Sequence, residues 1–467
     1  MPEPNAAPIV LVSAVGLTPK LLPMAPRLDR IARSGWSRPV LDCEPAVTCS
    51  AQATALTGRL PREHGIVGNG WLFRETGEVR FWQQCNRLVQ AELLYEIART
   101  RARRRGRPFR VAKLFWWFNQ GAEVEFSVTP KPLYGADGSK VFGIWGSPPE
   151  LPARLEREIG PFPFASFWGP MAGLPATSWI ARGAAEVLRA DRPDLTLVYL
   201  PHLDYDPQRF GPSGCDLPRL VGELDEAAAP LLEAAEAVGA KVWVFGEYAH
   251  RDVSRAVLPN RTLREEGFLS VRPGAFGDHL ETFQSRAFAV CDHQHAHVYV
   301  RRAEDIPLVR DRLAEQPGVA RVFVGDERGE IGLDHPRSGE LVLRAEPDSW
   351  FAYPFWLDDR DAPDYARTVD IHRKPGYDPV ELYFDPKLAF PKLRAMRRLL
   401  QKTLGFRTLM DLIGLDPSIV RGSHGVPGDS DADRPVLIGH GPSPEDGVPV
   451  PMTAIRDLLL EAMDLSD

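Results

Sequence analysis

The chain has 467 residues, 44% of them hydrophobic and 25% charged, which excludes a disordered, collagenous or coiled-coil protein and accommodates roughly three average domains or one large α/β core with insertions. The 56 Lys and Arg against 63 Asp and Glu leave a net charge of −7, an argument against a general nucleic-acid or anionic-membrane binder that still allows local basic patches. No apolar run is long enough to cross a bilayer and the segment from Pro2 to Pro8 lacks the features of a secretory signal, so a cytoplasmic protein is expected.

The first apolar run, residues 8–15, is continuous rather than alternating, as expected of a strand buried on both faces of a parallel sheet, and Gly16 ends it. A stretch of small residues after Thr48 reads as a helix that stops at Gly58. Residues 99–110 carry a run of arginines that suits either phosphate binding or a solvated helix end, and no role is assigned to it. Residues 111–175, rich in aromatics, Pro and Gly, read as an irregular excursion over the upper rim of the sheet. Helices over 178–188 and 220–238 precede strands over 195–200 and 241–245, the repeat that builds a right-handed parallel sheet. Residues 253–415 hold alternating apolar segments at 287–290, 297–300 and 319–324 and are expected to form an inserted α+β cap. The expected fold is therefore α/β, a mostly parallel sheet between helices, built from residues 1–252 and 416–467. Five scattered cysteines, none in a CxxC pair, indicate neither a disulfide framework nor a zinc finger.

Polar residues follow the predicted strands at once: Ser13 ends the first, His202, Asp204 and Asp206 follow the second, Glu247 and Tyr248 the third. Ligands of open parallel sheets bind beyond the carboxyl ends of the strands, so these tails are expected to converge. Thr48 opens its helix where unpaired amides and the helix dipole favour an anion or a developing alkoxide; taken alone, it also reads as a helix N-cap.

The order of residues from Pro45 to Asn69, PAVT followed by ATALTGRLPREHGIVGN, resembles the nucleotide pyrophosphatase/phosphodiesterase branch of the alkaline phosphatase superfamily. Two further segments are similar to that family: YLPHLDYDPQRFGP at 199–212 resembles its PDxxGHxxGP loop, and RGSHG at 421–425 resembles its late SHG segment. The resemblance implies an alkaline-phosphatase-like core in which Thr48 is the nucleophile and Asn69 holds a phosphoryl oxygen. It also implies that Asp204 and His424 bind one metal, with Gln208 at the position of a ligand His.

Departures from the family pattern fall on the second metal. Val15 stands where the resemblance implies an Asp, and Gly246-Glu247-Tyr248 stands in place of Ser-Asp-His. Glu247 keeps a carboxylate, as ligand of a weaker second cation or as base. One divalent metal, zinc by the resemblance, or a rearranged pair is expected rather than a standard dizinc centre.

His202 and Asp206 flank Asp204, and His372 precedes a Pro-Gly turn in the cap; all three are candidates for contacting an anionic substrate. His293, His295 and His297 alternate, which puts them on one face of a strand and suits either a metal or phosphate role or a plain polar face. His250 is assigned no role. Trp71, Trp82 and Phe115 to Phe118 suit stacking on a substrate ring or core packing. The expected function is a metal-dependent phosphoester hydrolase, phosphodiesterase-like, acting on a small phosphorylated substrate. The rival is a catalytically weakened homologue that binds such a ligand or a partner without turnover.

Overall fold

The computed structural model describes residues 7–136 and 140–466. A nine-stranded sheet runs in the order Val450–Pro451, Trp36–Leu41, Val436–Gly439, Lys241–Phe245, Ile9–Ala14, Leu195–Leu200, Val111–Leu114, Phe126–Pro130, Ile144–Ser147. The central strands from Lys241–Phe245 to Phe126–Pro130 are parallel, and both flanks include antiparallel pairs.

Every residue of Ile9–Ala14 is buried, because the sheet is covered on both sides. Val10, Val12 and Ala14 pack with the helices Leu174–Asp191 and Leu217–Ala237, whereas Ile9 and Leu11 pack with Thr48–Thr57, Leu94–Arg104 and Ile455–Ala462. Two-sided burial is what a continuous rather than alternating apolar run requires.

Residues 111–175 differ from the expected excursion. They contribute Val111–Leu114, Phe126–Pro130 and Ile144–Ser147 to the main sheet and add the helix Leu151–Ile159. These strands are four or five residues long and carry a buried Lys113 and a terminal Pro130, so they lack the long apolar run that marks a central strand.

Within 253–415 a four-stranded antiparallel sheet runs Ala287–Asp292, His295–Val300, Leu341–Ala345, Val319–Val324. Its apolar cluster also takes in Leu72 and Phe81 from the hairpin Gly70–Phe73 and Glu78–Phe81, and the Leu72 amide donates to the Tyr299 hydroxyl at 3.1 Å. The segment after the Thr48 helix thus packs against the cap. Among the described residues no helix is long and apolar enough to cross a membrane.

Candidate active site

The helix Thr48–Thr57 starts directly after an extended Val47, so Thr48 is its first helical residue and its side chain makes no cap. The N-cap reading does not hold. Its hydroxyl lies 3.0 Å from the Tyr248 hydroxyl, which donates to Asp204 Oδ1 at 3.0 Å. A phenol has a single hydrogen, and here it goes to Asp204. The phenol oxygen is therefore free to accept from Thr48, whose hydroxyl also lies within hydrogen-bonding reach of the Glu247 carboxyl and the Tyr199 hydroxyl.

Asp204 sits in the first turn of His202–Phe210, beyond the strand Leu195–Leu200. His250 Nε2 lies 3.1 Å and His424 Nε2 3.8 Å from Asp204 Oδ1, and the ligand atoms of these three residues all fall within 4.8 Å of one another. Burial alone would raise the Asp204 carboxyl, but the hydrogen bonds with His250 and from Tyr248 hold it below its ordinary value. His424 Nδ1 contacts the Ala46 carbonyl at 2.8 Å, an arrangement that places the ring hydrogen there. Burial and the neighbouring His293 push its pKa well below the ordinary value, so the ring is neutral. Its Nε2 is buried and, among the described residues, has no hydrogen-bond partner. A neutral imidazole with a free, buried lone pair beside a carboxylate and a second imidazole fits a divalent cation, and this N and O donor set suits zinc.

The sequence assigned no role to His250. The resemblance implies a His at position 248, where this chain has Tyr. Glu247 adopts φ +62°, and the chain turns so that His250 reaches Asp204. Gly16 leaves the space: a Cβ there would lie 3.2 Å from the His250 ring. The readable signal was a His soon after the third strand, among acids expected to converge.

Gln208 does not join the cluster. Its Oε1 accepts from the Tyr377 hydroxyl at 2.6 Å, and among the described residues its Nε2 has no partner. Glu247 Oε1 accepts from Ser13 and, at 2.7 Å, from Gln52 Nε2. Burial pushes the Glu247 carboxyl up to about 8, and among the described residues its buried Oε2 has no hydrogen-bond partner. Asn69 Oδ1 accepts the Cys49 amide at 3.0 Å, while its Nδ2 and backbone amide donate to the two carboxylate oxygens of Asp292 at 3.1 and 2.7 Å. One Nδ2 hydrogen is left over.

His202 and Asp206 are engaged elsewhere, with Glu223 at 3.1 Å and Arg209 at 2.8 Å, because their helix turns these side chains toward the neighbouring helix and its own next turn. His372 lines the cavity described below. The alternating histidines part company: His295 contacts Glu44 at 3.0 Å and His297 the Val67 carbonyl at 2.9 Å, both inside the protein. His293 precedes the strand, at φ +57°, and its ring stacks between Tyr377 and His424 with centroids 3.8 and 3.6 Å away.

A cavity of about 730 Å³ opens above Thr48, Asp204, Tyr248 and His293. Its walls include Trp82, Trp117, Phe167, Trp168 and Tyr377. Trp71 and Phe115 are packed in the interior instead.

A family model described as type I phosphodiesterase / nucleotide pyrophosphatase matches residues 9–378. Murine ectonucleotide pyrophosphatase / phosphodiesterase 5 is similar in structure at TM-score 0.58 and 14% identity, over 98% of this chain and 95% of that one. An inactive Thr-to-Ala form of that murine protein, in complex with AMP, is similar at TM-score 0.58 and 13% identity, over 98% and 96%. Phosphonoacetate hydrolase from Sinorhizobium meliloti 1021, in complex with phosphonoformate, is similar at TM-score 0.59 and 15% identity, over 98% and 96%. At such identities these likenesses speak for a shared fold. No curated protein matches the chain.

Proposed function

Because the chain belongs to the type I phosphodiesterase / nucleotide pyrophosphatase family, we propose that it is a phosphoester hydrolase with Thr48 as nucleophile and with Asp204, His250 and His424 as ligands of one divalent cation, zinc by donor type. The observation that carries this reading is the buried, unpartnered Nε2 of His424, facing Asp204 and His250 and linked through them and Tyr248 to the Thr48 hydroxyl. A bound cation would supply positive charge that favours the ionised Thr48 oxygen and the phosphoryl group.

The protein's own groups do the rest. Tyr248 receives the Thr48 hydrogen bond and so aims an Oγ1 lone pair into the cavity, toward phosphorus in line with the leaving group. The amino end of the Thr48–Thr57 helix favours the anionic phosphoryl group, and the spare Asn69 amide hydrogen is directed at one of its oxygens. Oγ1 gives up its hydrogen to solvent and forms the bond to phosphorus as the bond to the leaving oxygen breaks; that oxygen departs with the bonding electrons and takes a proton from solvent, and water then cleaves the phosphothreonine, releasing the phosphoryl product and restoring the Thr48 hydroxyl. The Tyr248 phenol stands where the resemblance implies an imidazole and Val15 where it implies a carboxylate, and both losses support a single ion.

The cavity's aromatic walls suit a phosphodiester bearing a flat or apolar substituent, with the phosphoryl group at the polar floor. The AMP bound by the murine relative is a ligand with such a flat part.

Turnover of an activated aryl phosphodiester, with metal analysis of the same preparation, tests the reading. Thr48→Ala is expected to lower turnover by about 10⁴-fold or more while keeping about one ion per chain, and chelation to abolish turnover in the unaltered protein. Turnover retained by Thr48→Ala removes Thr48 from the reaction. No turnover with any metal, together with ligand-induced thermal stabilisation, favours the binding-only homologue.

A further inference from the structure

The helix Pro391–Thr403 is inside out. It buries no residue, although its sequence is strongly amphipathic. Arg394 and Arg398 pin its polar side to the protein through Asp411, with Arg398 Nε 3.0 Å from Asp411 Oδ1. Its apolar stripe faces solvent: Phe390, Leu393, Met396, Leu400, Leu404 and Phe406 are each 60–73% exposed. Soluble surfaces rarely carry so many large apolar side chains in one continuous patch without a partner.

Cations accompany that stripe. Residues 391–407 contain six Lys and Arg and no acid, in a chain whose net charge is −7. Lys392, Arg397, Lys402 and Arg407 are exposed. Met396 and Leu399 also line the cavity, as do exposed Tyr134, Phe142 and Met171, with Lys131, Lys140 and Lys392 among the lining residues. Exposed apolar side chains interleaved with cations thus form the solvent-facing rim of the Thr48 cavity.

We propose that this rim docks onto an anionic lipid surface, with the Pro391–Thr403 helix lying in the headgroup region and the cavity mouth facing the lipid. Charge complementarity selects this occupant. A cationic helix with Leu and Phe along one side gains from apolar insertion and from anionic headgroups together. A second copy of the chain, brought face to face across a two-fold axis, would set the same cations against each other. The net charge of −7 argues against such binding only as an average over the molecule. The proposal goes beyond the hydrolase reading and needs no turnover to be tested.

Vesicle flotation of the full chain provides the test, with vesicles of phosphatidylcholine alone and of phosphatidylcholine mixed with phosphatidylglycerol. The protein is expected to float with the mixed vesicles, to bind the neutral ones far less, and to be released by high salt. The double variant Leu393→Glu/Leu400→Glu is expected to bind at least about tenfold more weakly. Both side chains already face water, so circular dichroism and the thermal midpoint should match the unaltered protein. Three results overturn the proposal: no flotation with mixed vesicles, equal flotation of the double variant, or a dimer in solution that the double variant dissolves without any lipid binding.

Discussion

Of Gln208 and His250, it is His250 that stands beside Asp204. Gln208 occupies the ligand position of the family's loop, yet its oxygen is taken by Tyr377 at 2.6 Å; His250, outside the family's ligand positions, stands 3.1 Å from Asp204. His250→Ala is therefore expected to weaken zinc binding by at least about 100-fold, since losing even a group that supports a ligand costs about 10- to 100-fold. Gln208→Ala should keep the metal and lose stability instead, by about 1–3 kcal/mol, because the buried Tyr377 hydroxyl loses its acceptor. Zinc titration calorimetry and urea unfolding of the two variants separate these outcomes, and metal loss in Gln208→Ala alone would reverse the assignment. That Thr48, Asp204 and His424 come together was legible because each lies in a motif of fixed spacing. His250 was not, because its approach depends on a positive φ at Glu247 and a missing side chain at Gly16, and neither position announces which imidazole it admits.

Between elements, Asp292 ties the cap sheet to the hairpin that follows the Thr48 helix. The two Asn69 donors meet both oxygens of a carboxyl that is fully buried, while Asn69 Oδ1 holds the Cys49 amide. Asp292→Asn keeps the shape but offers only one oxygen, so its own amide faces a donor. A loss of about 1–3 kcal/mol in urea unfolding is expected, together with reduced turnover, because Asn69 then loses its bearing on the first turn of the Thr48–Thr57 helix. Unchanged stability would mean that the cap holds Asn69 by packing alone. Elements with one long apolar run, such as Ile9–Ala14 and Leu195–Leu200, were readable from sequence, as were the cap strands. The edge strands between residues 111 and 147 were not. Each needs its neighbour to complete a buried face, and that pairing is a property of the sheet rather than of the segment.

Across the molecule, two sets of buried groups pull stability in opposite directions with pH. Burial raises Asp42 to about 7, Asp292 to about 7 and Glu247 to about 8, and lowers His64 to about 3 and His297 to about 4. A carboxyl with a raised folded value stabilises fully below its unfolded value and loses that contribution as pH rises through the folded one. An imidazole with a lowered folded value stabilises above about 6.5 and loses its contribution as pH falls. The two sets overlap in mildly acid solution and largely offset each other there, so the sign of any single group is best read from a variant. Glu247→Gln removes one carboxyl from the balance without removing bulk. Measured by urea unfolding with chelator present, its stability relative to the unaltered protein should climb between about pH 4.5 and 8, by an amount on the order of a few kcal/mol, and stay level outside that window. Parallel curves across the whole range would mean that Glu247 ionises in the folded protein as it does in the unfolded chain.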